Sequence, residues 1–143
     1  MAVEIDVLYE GDLHCTAKHG PSGSMLTTDA PTDNGGRGAA FSPTDLVAAA
    51  LGTCLVTIMG LVAKRNNLDI AGTKVHVVKE MVQQPVRRIG ALRVTVTVAN
   101  GKALSDADRK KLETAAAHCP VHQSIHPDVQ MPIEFVYAEP ARG

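Results

Sequence analysis

The stretch Leu46–Ala63, LVAAALGTCLVTIMGLVA, runs eighteen residues without a charge. No other part of the chain limits its fold so strongly. Ser42 ahead of it is a good N-cap, Pro43 suits the first helical position, and Asp45 places a carboxylate in the first turn. Lys64 and Arg65 stand at the far end, where the helix dipole favours cations, and Asn66–Asn67 stop the element. A helix that is apolar on every face is either a membrane span or the centre of a domain. Eighteen residues lie at the lower edge of the spanning range, and Ala, Gly and Thr dilute the run. Patterned strands on both sides also need a core to cover. Burial is therefore expected, with no membrane as partner. At about 1.5 Å per residue the helix is roughly 36 Å long, more than one small domain can cover, which points to a second copy of the chain.

The flanking sequence reads as strands. VEIDVLYE and LHCTAKH flank Gly11–Asp12 as a hairpin; Leu13, Cys15 and Ala17 share one face of its second strand, and His14, Thr16 and Lys18 share the other. SMLTTD follows as a short third strand. APTDNGGRGAAFS is loop, and a loop of that length in a small domain is more often functional or interfacial than idle. After the long helix, TKVHVVKEMVQQ and RRIGALRVTVTVAN pair across a turn, with Leu92, Val94, Val96 and Val98 alternating against Arg93, Thr95 and Thr97. SDADRKKLETAAAHC is a helix opening on Ser105, and VQMPIEFVYAE closes the chain as a strand. The order is that of an α+β domain with mostly antiparallel pairing, one domain over residues 1–143.

Composition removes several functions. Formal charge is −1 with both signs scattered, tryptophan is absent and aromatics are 3%, so neither a basic stripe nor a base-stacking platform exists for nucleic acid. The amino terminus lacks a basic region followed by an apolar core, and three cysteines do not make a secreted disulfide framework. A cytoplasmic protein with reduced thiols is expected.

The cysteines differ. Cys15 faces inward by alternation and reads as a small apolar residue. Cys54 lies mid-helix among apolar neighbours, where a thiol is usually packing. Cys119 precedes Pro120, which disfavours helix at Cys119 and favours one starting at Pro120. Its sulfur would then sit at an N-cap, where amides and the dipole stabilise a thiolate; a plain break between two helical turns fits as well. Cys119, His122 and His126 are spaced i, i+3, i+7, as three ligands on one helical face would be. A structural zinc site wants four ligands, and His118 would point off that face, so no metal is expected.

Taken together, FSPTDLVAAALGTCLVTIMGLVA and, some sixty residues later, AAAHCPVHQSI resemble the osmotically inducible protein C and organic hydroperoxide resistance (OsmC/Ohr) family. Order, separation and surrounding strands match over nearly the whole chain. The resemblance implies an intertwined homodimer with the long helices buried at its centre. It also implies thiol peroxidase chemistry without a cofactor, serving oxidative-stress defence. By position Cys54 resembles the peroxidatic cysteine and Cys119 the resolving one, with a peroxide and a dithiol reductant as small-molecule partners.

The sequence departs from the pattern of the better-known peroxidases. Those activate the thiolate with an arginine from the amino-terminal strands, oriented by a glutamate ten residues before the cysteine. Here that position is Thr44, with Asp45 beside it, and no arginine precedes Arg37. His14, Lys18, His19 or Arg37 is left to supply the cation. Leu51, Ile58 and Met59 are expected to line an apolar pocket near Cys54. The reading is a hydroperoxide reductase; the alternative, favoured by the missing pair, is an OsmC-like protein that binds a small molecule without efficient turnover.

Overall fold

The structure is a computed structural model that describes residues 1–139. Chain contacts divide it into two compact units, Met1–Val47 and the segment from Ala48 onward.

The first unit is a three-stranded antiparallel sheet in the order β1 (Ile5–Gly11), β2 (His14–His19), β3 (Met25–Asp29). Gly11, Asp12 and Leu13 all take positive φ at the first turn, a region that glycine enters freely and aspartate tolerates. Register places Tyr9 opposite Cys15, Val7 opposite Ala17 and Ala17 opposite Leu26, so these side chains share one face. That face is open in the single chain: Val7 and Tyr9 are 66% and 62% exposed. The long loop follows, with one short 3-10 turn at Thr32–Asn34. It ends at Ser42, whose Oγ accepts from the Asp45 amide at 3.1 Å while Asp45 Oδ2 accepts from the Ser42 amide at 2.9 Å. This reciprocal capping box starts helix α1 (Pro43–Arg65).

In the second unit α1 buries the stripe Ala48, Leu51, Leu55, Met59 and Ala63, at the spacing of one helical face. Thr53, Thr57 and Leu61 stay exposed, because one chain has material for one side of the helix only, in line with the expectation that a single domain cannot cover it. By length and hydropathy α1 could cross a membrane, and 33% of its apolar window is buried inside the fold. Gly52 lets the helix approach the next strand closely: a Cβ there would stand 3.1 Å from Val77 Cγ2 and 3.3 Å from Val75 Cγ1.

Strands β4 (Lys74–Val82) and β5 (Arg88–Val98) form an antiparallel pair, and β6 (Ile133–Tyr137) joins β5 in parallel. Leu92, Val94, Val96 and Val98 are all buried, as their alternation predicts. The parallel pairing departs from the antiparallel majority, because a crossover containing α2 (Asp106–Ala117) and α3 (Pro120–Ser124) separates the two strands. Parallel neighbours require such a connection. The Arg109 guanidinium of α2 lies 4.2 Å from the centroid of the Tyr137 ring, a cation–π contact that ties the crossover to β6. Burial pushes the Tyr137 phenol up to about 12.

Candidate thiol site

Cys119 is the N-cap of α3. Its backbone is extended, Pro120 follows at the first helical position, and Sγ accepts from the His122 amide at 3.4 Å. The N-cap geometry that Pro120 suggests is therefore present. Cys119 is also fully buried.

Cys54 is the side chain that Cys119 meets. Cys54 is among the groups that act on the ionisation of the Cys119 thiol, and both cysteines are free. Burial pushes the Cys119 thiol above its ordinary value. The Cys54 hydrogen bond and charge act in the same direction, and together they outweigh the lowering from the His122 and Val121 amides. Burial has thus overcome the helix terminus, which by itself would favour a Cys119 thiolate. Cys54 is half-buried on α1.

A groove of about 760 Å³ runs between α1 and α2, with Ile58, Val62 and Ala115 among its apolar lining and Arg65, Lys110 and Lys111 among its cations. Cys54, Ile58 and Val62 share one helix face at i, i+4, i+8. His118, beside Cys119 in sequence, also lines the groove, and its Nδ1 lies 2.8 Å from the Thr114 carbonyl oxygen. Of the three residues expected near an apolar pocket, only Ile58 lines this groove; Leu51 and Met59 are fully buried in the core.

The three-ligand metal arrangement does not form. Helix α3 ends at Ser124 with Ile125 as its C-cap, so His126 leaves the face that carries Cys119 and His122. Pro127 disfavours helix at His126, and the His126 ring instead stands 3.8 Å from Asp128.

The candidate cations lie in the first unit. His14 Nδ1 is 2.6 Å from Asp29 Oδ1, and Arg37 Nη2 is 3.9 Å from the same oxygen. Asp29 Oδ2 accepts from the Ala39 amide at 3.1 Å. The His14 hydrogen bond holds the Asp29 carboxyl below its usual value against the opposing effect of burial, aided by the His14 and Arg37 charges and the Ala39 amide. Lys18 is exposed on β2 opposite Asp6 in register, and His19 Nδ1 pairs with Ser22 Oγ at 2.6 Å. Thr44 Oγ1 lies 3.2 Å from Ser42 Oγ, and Asp45 serves the capping box. Asp29 is the residue that sequence reasoning missed. Its signal was its place at the end of β3 directly opposite His14, legible only once the register is known.

A family model described as OsmC-like protein matches residues 35–134. The chain belongs to the OsmC-like protein family. A Psychrobacter arcticus 273-4 structure, named for osmotic stress induction and a detoxification response, is 41% identical to this OsmC-like chain. The match covers 92% of this chain and 93% of that one with a TM-score of 0.85. A Legionella pneumophila structure named as an organic hydroperoxide resistance protein OsmC shares the fold at 14% identity, covering 95% and 97% of the two chains, with a TM-score of 0.74. A Vibrio cholerae structure, also named for organic hydroperoxide resistance and holding captopril in one of its active sites, shares it at 16% identity, 92% and 90% coverage and a TM-score of 0.71. No curated protein matches the OsmC-like chain. Membership accounts for the α+β fold.

Proposed function

We propose that the protein is a thiol-dependent peroxidase that reduces organic hydroperoxides in oxidative-stress defence. The observation that carries this reading is the pairing of a half-buried Cys54 with a fully buried Cys119 across sixty-odd residues of sequence. An inert packing thiol has no need of such a partner. In the reaction the Cys54 thiolate attacks the O–O bond, taking one oxygen as sulfenic acid and releasing an alcohol. Cys119 then displaces water from that sulfenic acid to form a disulfide. A dithiol reductant restores both thiols by exchange, and no cofactor enters. The groove that begins at Ile58, one turn along α1 from Cys54, offers apolar surface to the organic part of the peroxide.

A homodimer is part of the proposal. Ile5, Val7, Tyr9 and Leu26 lie exposed on one sheet face, and Leu61 is exposed on α1. Apolar area left in water costs roughly 25 cal/mol per Å², and a second copy of the chain would cover it. Sedimentation at micromolar concentration should show dimer and no folded monomer.

Small-molecule binding without efficient turnover is the second reading, favoured by one arrangement: His14 and Arg37 both turn to Asp29. Peroxide consumption with a dithiol reductant separates the two, run in parallel on an organic hydroperoxide and hydrogen peroxide. Turnover faster with the organic substrate and lost in Cys54→Ser is expected; a Cys54→Ser protein as active as the parent would falsify the assignment.

A further inference from the structure

We propose that the groove between α1 and α2 is a binding site for a phosphate-headed amphiphile, a phosphate monoester on an apolar chain, held with its head away from the thiols. The inference goes beyond the peroxidase reading and does not depend on it.

The groove has two unlike ends, set by the residues each helix turns toward it. Ile58, Val62 and Arg65 come from one face of α1 at i, i+4, i+7, and Lys111, Ala115 and His118 from one face of α2 at the same spacing. Lys111 Nζ donates to Asn66 Oδ1 at 3.0 Å, which sets the carboxyl-terminal end of α1 against the first half of α2. From that contact, Asn66 back to Ile58 and Lys111 on to His118 are stretches of nearly equal length, so the helices run antiparallel along the groove. Arg65, Lys110 and Lys111 therefore gather at one end. Val62, Ala115 and Ile58, each half-buried, lead toward the other, which stops one turn from Cys54.

Two charges at the cationic end are not used by the fold. Lys111 is engaged, with Asn66 and with Asp108 at 3.6 Å. Among the described residues, however, the Arg65 and Lys110 side chains have no ion pair or hydrogen bond, and both stand exposed at the rim. A single carboxylate would leave one of these cations unmatched, whereas a phosphate monoester carries roughly two negative charges at neutral pH. Arginine presents a fork that fits phosphate oxygens, and lysine adds a point charge. The helix dipoles do not decide the matter, because α1 ends and α2 begins there and their terminal charges oppose. From Arg65 back to Ile58 the groove runs about 10 Å at 1.5 Å per residue, so an apolar chain of that length would lie on Val62, Ala115 and Ile58. Its volume of about 760 Å³ is that of a small-ligand site.

Titration calorimetry on the full-length protein tests this with decyl phosphate, decanoate, decanol and inorganic phosphate, the amphiphiles kept below their micelle concentrations. Decyl phosphate should bind saturably and about 25-fold more tightly than decanol, since two exposed charge contacts are worth about fivefold each. It should also bind about fivefold more tightly than decanoate, which matches only one cation. Inorganic phosphate should bind at least about 100-fold more weakly, because each buried methylene adds about fourfold. Arg65→Gln and Lys110→Gln should each weaken decyl phosphate about fivefold and leave decanol unchanged. Lys64→Gln makes the same change in net charge beside Arg65, but Lys64 lines a different cavity, so it should match the parent. Decanol, decanoate or inorganic phosphate binding as tightly as decyl phosphate, or equal losses in all three variants, would each overturn the proposal. Absence of binding would overturn it too, and loss of the dimer in Ile58→Arg by sedimentation would then give the groove to a second copy of the chain.

Discussion

Treating the reduced protein with one equivalent of an organic hydroperoxide is expected to make it more resistant to urea. The oxidised form should carry a Cys54–Cys119 disulfide closing a loop of about 65 residues. In the chain-entropy description such a loop removes roughly 4 kcal/mol of freedom from the unfolded state. Native strain subtracts whatever the fold must move to join the two sulfurs. A compact unfolded state subtracts more, so a net gain of about 2 to 4 kcal/mol is expected. With a urea slope near 2 kcal/mol per M, the midpoint should rise by about 1 to 2 M. The assay compares oxidised and reduced protein at one concentration in a Cys15→Ser background, with mass mapping of the bridge. An oxidised midpoint at or below the reduced one, with the bridge confirmed, would show that the fold must distort to bring the two sulfurs together.

Asp29 makes acid stability depend on a carboxylate, and the sign follows from its lowered pKa. The folded form holds Asp29 ionised below its ordinary value of 3.8, so its contribution is full above that value and is lost as pH falls through the folded pKa. Asp29→Asn should therefore be less stable at pH 7 and show a flatter acid limb in urea titrations; a limb as steep as the parent's would mean other carboxylates govern it. Gly52→Val should destabilise by about 2 kcal/mol through overpacking, because even the first added carbon would sit 3.1 Å from Val77. Gly52→Ala should stay near neutral, as better helix propensity, about 1 kcal/mol, offsets a small shift of the valines. A valine variant as stable as the parent in thermal melts would mean that α1 and β4 separate freely at that point.

Much of this protein can be derived from local sequence, because capping and periodicity are local effects. Ser42 and Asp45 cap each other as their spacing predicts. The alternation of β5 is its burial pattern, and Pro120 places Cys119 at an N-cap. Tertiary structure decided the rest. Whether α1 buries all of its faces depends on what surrounds it, and one chain covers a single stripe. The direction of β6 follows from where the crossover delivers the chain, which no periodicity encodes. The place of Asp29 beside His14 and Arg37 depends on strand register, and the meeting of Cys54 with Cys119 joins residues far apart in sequence. Even the state of Cys119 reversed between the two levels. The helix terminus, a local feature, favours its thiolate, whereas complete burial against Cys54 favours the thiol, and burial is a property of the folded chain alone.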